Sequence, residues 1–308
     1  MMPRSFLLPA LLGPVLGLTV PAWAQEPPSP PDSSPGEIVV QHTRPQDVSP
    51  AEVHRQARAV AASSDHLRVP LARFEDRLCA GIVGLQADAA MLMIDRIRDN
   101  AHQLGIRLHE DGCQPNFVVI FSDDSQVTMR SVVDRNPAIF QFVPPAERRR
   151  LLAPAPVHVF SHVEPRTRDG MPIARERNLV SPPVSRQQMA HSLIYTTTRR
   201  DITSVTIVFD SREVVGMSVG QLADYATMRG LAETQVPGEV PLNSILTLFN
   251  PEGPYPESLT EFDRAYLRAL YDWVPNLPAA AKLGSVTREL ERLRVERAAE
   301  AGAAPSEQ

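Results

Sequence analysis

Lysine is nearly missing from this 308-residue chain: Lys282 stands alone among 31 basic residues, and the rest are arginine. The arginines are scattered among 36 acids and the formal net charge is −5. No basic stripe forms, which excludes the electrostatic footprint of a nucleic-acid-binding protein. Cysteine is scarce too. Cys79 and Cys113 are the only two, too few and too far apart for a CxxC redox pair or a Cys-rich zinc module. Past residue 20 no run is long and apolar enough to span a bilayer. Histidine does not occur after His191, and that absence decides one question below.

What is present at the start is a secretory signal peptide over residues 1–24. Arg4 precedes an apolar run, residues 6–20, and Ala22-Trp23-Ala24 supplies a small-residue cleavage pattern. The run is short for a span and holds Pro9 and Pro14, which argues against an uncleaved anchor. No cysteine follows it, so a lipid anchor has no attachment point. Export to the periplasm or beyond implies an oxidising compartment, where an isolated cysteine pair reads as a disulfide. Closing that loop is worth about 3–4 kcal/mol. Two buried free thiols are the alternative.

Residues 25–48 read as a linker. The stretch QEPPSPPDSSPG cannot bury a core, and EIVVQ at 37–41 is a short strand candidate. A globular domain is expected over 49–284, and a C-terminal helix with a frayed tail over 285–308. Ser49-Pro50-Ala51-Glu52 is a capping box with proline at the first helical position, opening a helix to about residue 62. Residues 85–104 form the clearest helix, with Met91, Ile94, Ile97, Ala101 and Leu104 on one face and Gly105 as its stop. Strands are expected at 116–122, 156–163, 193–198 and 204–210. Further helices are expected at 146–152, 218–232, 259–271 and 285–299. No repeat is visible, and 164–183 is largely irregular. The fold class is α/β or α+β: one mixed domain with a small sheet and packed helices.

Two motifs suggest chemistry. Gly216-Met217-Ser218-Val219-Gly220 is G-x-S-x-G, the pattern of a nucleophile elbow between a strand and a helix. That elbow takes its histidine from later in the chain, and all eight histidines precede Ser218. Ser218 to Gln221 is also S-x-x-Q, a capping box, in which Ser218 and Gln221 start a helix. The capping reading is preferred. The second motif is His158-x-x-x-His162. On a helix its rings would share a face, but the flanking prolines and alternating valines make it a strand. There, residues four apart lie roughly 13 Å from each other, too far for one zinc ion. Surface or half-buried histidines are expected. His191 stands alone before a strand and reads as structural.

After Ser218 the order is helix (LADYATMRGLAE), then SILTLF, then SLTEFDRAYLRALY. With the preceding strand SVTIVFD, this resembles the C-terminal half of the metzincin zinc proteases, over roughly residues 202–271. Those carry H-E-x-x-H-x-x-G-x-x-H/D on a helix, an S-I-M turn, and an L-T-x-x-D-x-x-x-L-x-x-L-Y helix. With Gly230 on their glycine, the first two histidine positions hold Ala223 and Thr227. The glutamate position holds Asp224, the third ligand Glu233, and the turn methionine Leu246. Leu259, Thr260, Asp263, Leu267, Leu270 and Tyr271 match the last helix. Zinc hydrolysis needs three ligands and a carboxylate base, so the resemblance implies a pseudoenzyme that kept the scaffold and lost the metal. The segments QLADYATMRG and LTEFDRAYLRALY also resemble segments of other exported bacterial proteins, a likeness that supplies no activity.

The leading expectation is therefore an exported, non-catalytic protein with a binding or envelope-associated role, without cofactor, metal or nucleic acid, its partner unidentified. The competing expectation is a hydrolase with a non-standard site drawn from Asp224, Glu233, His158, His162 and His191. A third is an interaction module held at the envelope through residues 25–36.

Overall fold

The computed structural model describes residues 48–62, 65–141, 143–173, 194–236, 238, 243–251, 253, 255–272 and 274–303, with side chains to 300. The expected signal peptide, the linker, the 37–41 strand and His191 lie outside the described residues. Helices and strands alternate: α1 (Pro50–Val60), β1 (Ala72–Phe74), β2 (Ala80–Val83), α2 (Ala87–Gln103), β3 (Phe117–Ser122), α3 (Ser125–Arg135), α4 (Pro137–Phe140), α5 (Pro145–Leu151), β4 (Val157–Thr167), β5 (Thr198–Asp210), α6 (Val219–Gly230), a 3₁₀ turn (Ile245–Phe249), α7 (Glu261–Tyr271) and α8 (Ala279–Ala303). The class is mixed α/β, and these elements belong to one compact unit, Asp47–Gln308. Helix α8 starts at Ala279 and packs on α7 and α1, so it belongs to the domain rather than following it.

The sheet is organised around β5. Along one edge it pairs antiparallel with β4, with a register shift between His162 and Val163. Along the other it pairs in parallel with β1 and then with β3, and β3 pairs in parallel with β2. The strand is longer than its apolar run suggests. Residues 204–210 are β-branched and apolar as expected, but the polar half, Thr198 onward, continues the same strand. The separate strand expected at 193–198 is not formed over its described part, which is irregular before Thr198. Charged side chains hold that polar half: Arg199 donates to buried Asp201 at 2.8 Å, and Arg166 of β4 lies 3.6 Å from the same carboxylate.

Helix α2 buries Met93, Ile97, Asn100 and Ala101, while Met91 is 60% exposed. The apolar face expected from Met91 is thus rotated, and the reason lies in what α2 packs against. Its partner is α6, in which Leu222 through Met228 are all buried. Helix α6 is therefore buried on every side through these residues, not only along one stripe. Gly230 closes this packing: a Cβ there would stand 2.4 Å from the Phe117 ring. The Cys79–Cys113 disulfide is formed, with Cα atoms 6.2 Å apart. It ties the start of β2 to the segment entering β3, where Asn116 Oδ1 also accepts from the Cys79 amide at 2.8 Å. No described helix is long and apolar enough to cross a membrane.

Candidate functional site

Ser218 is a helix cap. Its hydroxyl oxygen accepts from the Gln221 amide at 3.1 Å, and the Gln221 side-chain oxygen accepts from the Ser218 amide at 2.9 Å. Gln221 also donates to the Pro256 carbonyl at 3.0 Å. The strand-to-helix setting that suggested an elbow is there, but the serine oxygen serves the backbone. At Ser49 only the forward half of the expected box forms, from the Glu52 amide at 3.2 Å. Glu52 turns instead to Gln56 and Arg55.

The positions matching the zinc motif do not gather. Ala223 and Thr227 are fully buried, and the Thr227 hydroxyl donates to the Ala223 carbonyl at 2.8 Å. Asp224 is 0% exposed and accepts four bonds. Its Oδ1 takes Arg96 Nε and Asn100 Nδ2, each at 2.8 Å; its Oδ2 takes Arg96 at 2.8 Å and the Leu259 amide at 2.9 Å. A carboxylate offers about four lone-pair sites, so none remains for a metal-bound water. Arg96 is held protonated above its ordinary range, chiefly by that hydrogen bond. Glu233 lies past the helix and pairs with Arg200 at 2.6 Å. These residues do not fit a zinc ion. Among the described residues no group of three or more His, Cys, Asp or Glu is placed to hold a metal.

The two segments after α6 are bound to each other. Asp263, fully buried in the first turn of α7, accepts from the Ile245 amide at 2.8 Å and the Thr260 amide at 2.9 Å, and takes the Ser244 hydroxyl as well. Burial raises its carboxyl above the usual range. Leu246 is buried in the turn, which packs on α6.

His158 corrects an expectation: it is 3% exposed, not a surface ring. Its Nδ1 lies 2.7 Å from the Leu151 carbonyl of α5. A carbonyl only accepts, so Nδ1 carries a proton, and Nε2 is an acceptor whenever the ring holds no second one. Nε2 is buried with no hydrogen-bond partner. His162 is half-buried and lies against the Thr203 hydroxyl at 3.0 Å. His158 lines an open cleft of about 380 Å³ between β4, α5 and the C-terminal end of α6. Glu233 lines it too, with Arg229, Arg150 and Glu147. Of the five candidate polar residues, the structure brings His158 and Glu233 to one cleft and buries Asp224 elsewhere.

The residues missed from sequence are Arg96, Asn100, Arg150, Arg200 and Arg229. One signal existed: an aspartate inside an apolar helix needs a partner, and Arg96 and Asn100 stand four apart on α2. No family model, curated protein or solved structure matches this chain.

Proposed function

We propose that the chain is an exported protein on a metzincin-like scaffold that binds a ligand or partner and does not catalyse. One observation carries the reading: Asp224, at the position of the catalytic base, spends both oxygens on four internal bonds. It acts as a cross-link between α2, α6 and the approach to α7. Three further features support the scaffold: the succession of strand, helix, tight turn and helix, the Asp263 bonds joining the last two, and the close approach that requires Gly230. The disulfide and the signal-like leader support export. Metal analysis of the purified mature chain should find far less than one zinc per molecule. One tightly held zinc, removed together with an activity by a chelator, overturns the reading.

The hydrolase alternative has one observation in its favour, the bare His158 Nε2 in a cleft that Glu233 also lines. Turnover of simple esters or peptides that disappears in a folded His158→Phe variant would establish it.

A further inference from the structure

We infer that the cleft between β4, α5 and the end of α6 is a binding site for a small oxyanion that carries an O–H of its own. The inference rests on the binding reading above and names the ligand class of the cleft found there. Several polar groups of the wall are already engaged. Thr234 donates to the Met228 carbonyl at 3.0 Å, Gln235 to the Ala59 carbonyl at 3.1 Å, and Glu233 is neutralised by Arg200. What is left has a definite pattern. Arg229 Nε–H is a buried donor without a partner, and His158 Nε2 is a buried acceptor without one. Among the described residues Arg150 is paired with no carboxylate, and Glu147 offers an exposed acceptor on the same helix.

Orphaned buried polar atoms are costly, and two of opposite sense lining one cleft call for one ligand that satisfies both. An anion alone would answer the arginines and meet the His158 lone pair unfavourably. An oxyanion with a hydroxyl answers all of them: O⁻ accepts from Arg229 and Arg150, and O–H donates to Nε2. Hydrogenphosphate has this chemistry, and so does a 2-hydroxycarboxylate. Sulfate and plain carboxylates lack the proton. The volume is at the lower end of the range for small-ligand pockets. Both orphans lie below the cleft surface, so one wall must yield as the ligand seats.

The test is calorimetric titration of the purified full chain with two pairs of probes, hydrogenphosphate against sulfate and glycolate against acetate. The hydroxyl-bearing member of at least one pair should bind about tenfold tighter, because only it gives the buried acceptor a partner. The pair that discriminates identifies the source. Arg150→Gln, at an exposed position, should weaken that binding severalfold without unfolding the chain. His158→Phe should abolish the discrimination. Equal affinity within both pairs, no binding by any probe, or unchanged affinity in folded Arg150→Gln overturns the inference. Such a failure in a zinc-free chain leaves the non-catalytic reading standing, whereas bound zinc removes both.

Discussion

Asp224 and His158 are both buried polar residues near one helix, and they are satisfied in opposite ways. Asp224, in the middle of α6, has a partner for every lone pair. His158, facing the end of α6 from β4, has one nitrogen bonded and one bare. A completed buried network fixes structure. An incomplete one stores a cost that a ligand can relieve. The middle of α6 is therefore read as scaffold and its C-terminal end as site, the reverse of what the zinc-protease resemblance implies.

The sharpest way to break this contrast is Asp224→Ala. It leaves the Leu259 amide without its acceptor, Asn100 Nδ2 with the Thr227 hydroxyl alone, and Arg96 without its ion pair. Arg96 is 38% exposed, so water takes up its loss, but each buried donor left unsatisfied costs about 1–3 kcal/mol, and denaturant unfolding should show a loss of that order. A folded Arg150→Gln, in the cleft, should stay within about 0.5 kcal/mol of the parent. Comparable losses from the two variants would mean that the cleft is structural as well.

A smaller effect separates cap from nucleophile. Ser218→Ala removes one cap bond and should cost about 1 kcal/mol, while leaving oxyanion binding and any hydrolysis unchanged. Intact stability together with a lost activity would return Ser218 to the role that G-x-S-x-G suggests.

Local rules were legible in the sequence, and rules set by distant partners were not. The box at Ser218 and Gln221 depends on residues three apart, and both halves form. The disulfide was legible from the count of two cysteines and the export expected from the leader-like start. The ends of α2 were readable to within two residues, but its inward face was not. An apolar periodicity starting at Met91 cannot register that a carboxylate on another helix draws Asn100 inward and holds Arg96 beside it. The charged start of β5 was missed because its stability comes from arginine–aspartate pairs within the strand and across to β4, not from apolar alternation. Helix α3 was missed although its cap, Asp124 accepting from the Val127 amide at 2.9 Å, is a local signal. The cleft was invisible because its residues come from three separate segments.

The last test concerns the one lysine and asks whether the scaffold side of the contrast is complete. Lys282 is 3% exposed, and its ammonium donates to the Asp272 carbonyl at 2.7 Å at the end of α7. Arg73 donates to the same carbonyl at 2.6 Å. Two cations at a helix C-terminus suit the dipole, but burial pulls the lysine down to about 8 from an ordinary 10.5. Between those values the unfolded chain holds a proton that the folded chain has released, so stability rises with pH across that window. Below about pH 8 both states are protonated and the dependence vanishes. The tyrosines Tyr225, Tyr266 and Tyr271 are pushed up by burial, so the lysine is isolated by subtraction. The stability of the parent minus that of Lys282→Met should be flat below about pH 8 and climb toward pH 10.5. Parallel curves would mean that the ammonium is solvated in the folded chain, and that this end of α7 is as open as the cleft.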